Sequence, residues 1–138
     1  MVSFDRESSL LPPVRKALRS RGYRRQKDEV QFYEYRMDLY GYDQPNNTTS
    51  AVELKLKRWS RAFEQALVYQ LCADFVYMAL PDKNCEKVDH DLLSRHGLGL
   101  IGVHRNGNCE ILLNAEQSKV ILPHYKQFYV KLMKARSA

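Results

Sequence analysis

The chain has 138 residues, 44% of them hydrophobic and 28% charged, with a formal net charge of +6. That length and mixture suit one folded domain, residues 1–138, with its own core, and exclude an intrinsically disordered chain. The longest apolar run, residues 75–81, is far too short to cross a bilayer and the polar first residues do not read as a secretory signal, so no membrane partner is expected and the expected location is the cytoplasm.

In chain order, Leu10, Leu11, Val14 and Leu18 recur at helical spacing, which predicts a helix over residues 4–21 stopped by Gly22. Pro13 inside it predicts a bend, or a helix that starts at Pro12. Aromatic and β-favouring residues then predict strands over 24–32 and 35–42. The segment DQPNNTTS, 43–50, is turn chemistry, and a third strand over 51–57 completes an antiparallel meander. Residues 60–73 read as a helix with Ser60 as its N-cap. The apolar run 75–80 suits a buried strand. A short helix within 85–97, a hairpin around Asn106-Gly107, and an amphipathic helix over 123–136 follow. The element order is αβββαβ followed by αββα.

Three cysteines, Cys72, Cys85 and Cys109, form neither a disulfide framework nor a C-x-x-C pair. The four histidines show no i, i+4 pairing of the kind a helical metal site uses. The positive charge is unevenly spread. Residues 15–27 hold seven basic residues and no acid, Arg24 and Arg25 among them, and Lys55, Lys57, Arg58 and Arg61 form a second group. Excess positive charge favours polyanions such as nucleic acid, although a solvated surface also accounts for any single basic run.

Glu53-Leu54-Lys55 is the one Asp/Glu-x-Lys triplet in the chain. On a strand, i and i+2 share a face, so Glu53 and Lys55 project together while Leu54 enters the core. Asp38 interrupts an apolar and aromatic run, where an aspartate is unusual. If its strand pairs with the third across the 43–50 turn, Asp38 and Glu53 approach on one face. Two close carboxylates repel and call for a cation, and oxygen ligands suit Mg²⁺ or Mn²⁺. An acid facing water, or a partner for Arg36 or Lys55, is the other account of Asp38. On the following helix, Arg58, Arg61, Gln65 and Tyr69 share one face, away from Phe63, Leu67 and Leu71.

Glu7 on the first helix, Asp38 on the second strand, Glu53-x-Lys55 on the third and Gln65-x-x-x-Tyr69 on the next helix, in this order, resemble the PD-(D/E)xK nuclease superfamily, in the branch of RecB-like nucleases and archaeal-type Holliday-junction resolvases. The resemblance covers roughly residues 4–81, with 82–138 as an extension. It departs from the family in carrying Met37 where a proline precedes the aspartate. It implies an α/β fold with a restriction-endonuclease-like αβββαβ core, a mixed sheet flanked by helices, and a C-terminal hairpin and helix. It also implies divalent-metal-dependent hydrolysis of phosphodiester bonds and favours DNA over RNA as the substrate, which the sequence alone leaves open.

In the roles so implied, Asp38, Glu53 and the Leu54 carbonyl bind Mg²⁺ or Mn²⁺, and Glu7 reaches it through a water. Glu7 reads equally as a capping acid in the first turn. Lys55 orients or deprotonates the attacking water or stabilises the transition state, and Gln65 and Tyr69 position Lys55 or the phosphate backbone. Arg58, Arg61, Tyr69, Arg24 and Arg25 contact nucleic acid, and Trp59 either stacks on a base or packs. A second reading keeps the fold as a non-catalytic nucleic-acid-binding module, a subunit of a larger complex, and a third leaves an ordinary α/β protein with a wet strand face. One protomer of this size offers a small binding surface, so a homodimer is a further expectation, with Tyr125, Phe128, Tyr129 and Leu132 of the last helix as its candidate interface.

Overall fold

Leu10, Val14 and Leu18 are buried along one stripe, and they set the position of the first helix against the sheet. The structure, a computed structural model, describes residues 4–135. A 3₁₀ turn, Glu7–Leu10, leads into α1, Leu11–Ser20. The predicted single helix over 4–21 is thus divided. Pro12 and Pro13 occupy the first turn of α1, where a missing N–H breaks no helical bond. Then come β1 (Arg25–Phe32), β2 (Tyr35–Asp43), β3 (Thr48–Leu54), α2 (Trp59–Tyr69) and β4 (Phe75–Pro81). A second 3₁₀ segment, Asp82–Lys87, precedes α3 (His90–Arg95), β5 (Gly99–Val103), β6 (Cys109–Leu113) and α4 (Pro123–Ala135). Arg136, the last residue of the predicted terminal helix, lies outside the described residues.

The six strands form one mixed sheet in sequence order, β1 to β6. β1–β2, β2–β3 and β5–β6 pair antiparallel; β3–β4 and β4–β5 pair parallel. The protein is therefore an α/β fold with helices on both faces of the sheet. One face packs α2 and α4 over Tyr40, Ala51, Met78 and Leu100; the other packs α1 over Leu39, Val52, Ala79 and Ile101. Among the described residues, no helix is long and apolar enough to cross a membrane.

Three boundaries differ from the sequence reading. β3 starts at Thr48, because the Asp43 carboxylate, bonded to the backbone and side chain of Asn46, tightens the turn. It ends at Leu54, so Lys55 follows the strand, although the Lys55 N–H still donates to the Ala79 carbonyl at 3.0 Å. α2 starts at Trp59 after Arg58, which sits in the left-handed region (φ 55) and makes no side-chain cap, so Ser60 is not the N-cap. Tyr129, an expected interface residue, is buried instead: its ring meets Tyr40 and its hydroxyl donates to the Gln31 carbonyl at 2.6 Å. Phe128 stays exposed.

Asp74, just before β4, ties the sheet to the C-terminal segment. Its carboxylate accepts from Thr49 N (2.8 Å), Thr49 Oγ1 (3.1 Å) and Gln117 Nε2 (2.8 Å), and ion-pairs with Lys126 Nζ at 2.9 Å. Burial alone would push this carboxyl up, but the hydrogen bonds from Lys126, Gln117 and Thr49 outweigh it and hold it below the usual range. A depressed folded value contributes stability above the ordinary carboxylate range, and that stability is lost as pH falls through the folded value. Asp74→Asn is expected to cost about 1.5–3 kcal/mol at neutral pH, as expected for bonds to a charged group. It should also flatten the acid limb of the stability profile, read by urea unfolding between neutral pH and acid.

Candidate active site

β3 lies antiparallel to β2 on one side and parallel to β4 on the other. Its last residues therefore stand beside the early part of β2, where Asp38 lies. The last paired rung between them is Leu39–Val52, and Asp38 and Glu53 flank it on neighbouring strands. Strand alternation breaks at Asp38. Met37 packs on the α2 side and Leu39 on the α1 side, although i and i+2 normally share a face. On β1, Asp28 pairs with Leu39 and Val30 with Met37, while Glu29 between them is in the left-handed region (φ 53). The local twist frees the Asp38 carboxylate to turn toward β3, where its Oδ2 accepts from the Leu54 N–H at 2.8 Å.

Glu53 is 4% exposed and faces α2. The Tyr69 hydroxyl donates to its Oε1 at 3.0 Å and lies 3.2 Å from the Arg36 carbonyl. Burial, and then repulsion from Asp38, push the Glu53 carboxyl up to about 8, against the opposing pull of Tyr69 and Lys55. Asp38 is also held above the ordinary range: burial raises it, the Leu54 N–H lowers it, and Glu7 raises it again. Lys55, whose side chain is 19% exposed, pairs with Glu7 at 3.8 Å.

The chain thus brings Asp38, Glu53, Lys55, Glu7 and Tyr69 to one end of the sheet. Glu7 engages Lys55 and also stands as the acid of the first turn of the 3₁₀ segment. Asp38 is half-buried on an interior strand, and Arg36 pairs with Glu29 at 3.4 Å, so neither an edge acid nor an Arg36 partner describes it. Leu54 sends its side chain into the α1-side core, as the alternation predicts.

Other expected residues fall elsewhere. Tyr69 is fully buried, so it holds Glu53 and does not meet nucleic acid. The helical wheel gives α2 a polar face that includes Tyr69, but Ala62, Ala66 and Tyr69 form the face laid on the sheet, while Phe63 and Leu67 are only partly buried. Small alanines let the helix approach closely, and that closeness puts the Tyr69 hydroxyl on Glu53. Gln65, one turn before Tyr69, has a buried Oε1 with no hydrogen-bond partner among the described residues. Arg58 and Arg61 are exposed at the start of α2, and Trp59 packs edge-on to Phe63. Arg24 and Arg25 stand at the opposite end of the strands. There they line a cavity of about 1030 Å³ with Arg21, Tyr42 and Asn46. Arg25 is partly committed there, its Nε donating to Gln44 Oε1 at 2.9 Å.

Among the described residues, no three His, Cys, Asp or Glu side chains gather closely enough to hold an ion by themselves. The oxygen donors available are the Asp38 and Glu53 carboxylates and the Leu54 carbonyl. One carboxylate oxygen on each side chain makes no hydrogen bond, and neither acid has a cation at ion-pair distance, among the described residues. Ionising both acids therefore needs positive charge from elsewhere, and hard oxygen donors of this kind fit a divalent Mg²⁺ or Mn²⁺ ion.

No protein-family model matches the sequence, and a search of curated proteins finds no relative. Among solved structures the chain is similar to a protein of unknown function from Silicibacter pomeroyi, with a TM-score of 0.70 and 18% sequence identity over 93% of this chain and 83% of that one. At that identity the likeness speaks for the fold alone.

A raised carboxyl value stabilises the fold below the group's ordinary range and loses that contribution as pH rises through the folded value. Between about pH 4.5 and about 8, Glu53 should therefore make stability fall with pH, by up to about 1.4 kcal/mol per unit. Glu53→Gln should flatten that slope in pH-dependent urea unfolding. Tyr69→Phe removes a bond that favours the ionised form, so a ¹³C NMR titration should find the Glu53 carboxyl still higher. An unmoved carboxyl would contradict the hydrogen bond's role.

Proposed function

We propose that the protein is a divalent-metal-dependent nuclease of the PD-(D/E)xK kind that hydrolyses phosphodiester bonds in DNA. The observation that carries this reading is the mutually repelling pair of half-buried Asp38 and buried Glu53, on adjacent strands with Lys55 beside it. A structural role alone gives no reason to bury two acids together without a cation. The element order, the mixed sheet and the position of the pair at the end of β3 support a restriction-endonuclease-like core over about residues 4–81, in one domain.

In this reading Asp38, Glu53 and the Leu54 carbonyl hold the Mg²⁺ or Mn²⁺. Bound there, the metal supplies Lewis-acid charge and a more acidic water. Tyr69 fixes the rotamer of Glu53 and favours its ionised form. The Leu54 N–H does the same for Asp38. Lys55 orients the attacking water or meets negative charge developing on the phosphate, and Glu7 steadies its ammonium. Arg58 and Arg61, exposed near this end of the sheet, attract the phosphate backbone.

A second reading, a non-catalytic nucleic-acid-binding module of the same fold, is favoured by one observation: Glu7 is turned to Lys55, and among the described residues no third acid stands close enough to share an ion with Asp38 and Glu53. A cleavage assay over linear, circular and branched DNA with Mg²⁺ or Mn²⁺ separates the two. The nuclease reading expects cleavage that EDTA abolishes, and a loss of about 10²–10³-fold in Lys55→Ala, the scale of one charge-stabilising group. Metal should raise the melting temperature of the native protein and leave Asp38→Asn unchanged. Undiminished cleavage by a folded Lys55→Ala would overturn the assignment, and salt-sensitive binding with no cleavage under any metal would favour the second reading.

A further inference from the structure

The C-terminal ends of β3, β4 and β5 lie side by side, because these three strands run parallel. In such sheets the crevice beyond the strand ends is where ligands bind. Here that crevice is a pocket of about 460 Å³ lined by Lys57 after β3, Asp82, Lys83, Asn84 and Lys87 after β4, and Arg105 after β5, with Phe4 on its wall. Phe4 lies three residues before Glu7 in the chain and Lys57 two after Lys55, so the pocket and the Glu7–Lys55 pair stand at the same end of the sheet.

Its four cations have a feature that Arg15 and Arg36 lack. Arg15 pairs with Asp28 at 2.9 Å and Arg36 with Glu29 at 3.4 Å. Lys57, Lys83, Lys87 and Arg105 have no carboxylate partner among the described residues. The one acid in the wall, Asp82, is turned to His104, with Oδ2 2.8 Å from Nδ1, and Glu110 meets the other ring nitrogen at 3.2 Å. The other Asp82 oxygen, Oδ1, accepts from the Lys83 N–H at 2.8 Å, so both Asp82 oxygens are bonded. The Asn84 amide donates to the Leu56 carbonyl at 2.6 Å and ties the segment after β4 to the end of β3. Like charges brought together in a concave, polar site favour an anion with several acceptor oxygens.

We infer that this pocket is a phosphate-binding subsite that receives a backbone phosphate of the nucleic-acid strand whose neighbouring phosphodiester lies at Asp38, Glu53 and Lys55. The inference rests on the proposed nuclease reading for its substrate. It assigns the segment after residue 81 a part in binding, beyond closing the fold. Lys83 and Arg105 supply the charge, Asn84 fixes the segment that carries Lys83, and Phe4 offers an aromatic wall to an adjacent base.

The test is metal-free binding of a fluorescent single-stranded DNA oligonucleotide, followed by polarisation in EDTA over a range of salt. Lys83 and Arg105 are exposed, so their replacement by alanine should leave the melting temperature unchanged. Lys83→Ala/Arg105→Ala should weaken binding about tenfold or more and reduce the salt slope by about 1 for each phosphate that the variant no longer neutralises. Lys119→Ala/Lys131→Ala, an equal charge change at exposed positions elsewhere, should leave the slope unchanged. Equal slopes for the two double variants would overturn the subsite. Displacement of the oligonucleotide by a free mononucleotide at matched phosphate concentration would overturn the strand as its ligand. Because no metal is present, loss of binding in the pocket variant supports the subsite even if the native protein cleaves nothing, which is the separate failure of the nuclease reading.

Discussion

Two neighbouring parallel strands cannot be joined by a tight turn, and most of this molecule follows from that constraint. β3 and β4 are parallel, so the chain between them crosses one face of the sheet as α2. The crossing brings Tyr69, at the end of α2, over Glu53 at the end of β3. β4 and β5 are parallel as well, and their connection, through the 3₁₀ segment and α3, returns the chain so that β5 ends beside β3 and β4. One topological fact thus brings the acids, their tyrosine and the cationic pocket to the same end of the sheet.

The electrostatics at that end are divided. Asp38 and Glu53 are withdrawn from water, and burial pushes both toward the neutral acid. The fold tolerates two adjacent carboxyls because a proton can take the place of a counter-ion. Beside them Lys55 pairs with Glu7, while the pocket cations Lys57, Lys83, Lys87 and Arg105 are exposed and have no carboxylate partner among the described residues. An anionic polymer and a divalent cation would satisfy both halves together, each more strongly than the fold does alone.

Some of the basic residues are already engaged within the fold. Arg15, Arg36 and Lys126 are engaged in ion pairs within the fold, and Arg25 is held at the β2–β3 turn. Lys57, Lys83, Lys87 and Arg105 line one concave surface at the end of the sheet that carries the acids, and none has a carboxylate partner among the described residues.

Local pattern carried much of this in advance. Periodicity located α1, α2 and the strands, and turn chemistry located the Asn106-Gly107 hairpin; the alternation of Val52, Glu53 and Leu54 placed Val52 and Leu54 in the α1-side core, but the wet face it implied for Glu53 is buried under α2. These features depend on neighbours in the chain, so a single sequence contains them. The twist at Asp38, the burial of Tyr69 against Glu53 and the pairing of Glu7 with Lys55 depend on interactions between residues far apart in sequence. The helical wheel misjudges the polar stripe of α2 because it scores hydrophobicity. Two alanines and a tyrosine serve here for close approach, a steric quantity that appears only when the helix meets the sheet. For the same reason, Arg24 and Arg25 are grouped with Arg58 and Arg61 as expected nucleic-acid contacts, yet the strands carry them to the far end of the molecule, while Arg105, far along the chain, comes to lie beside Lys57.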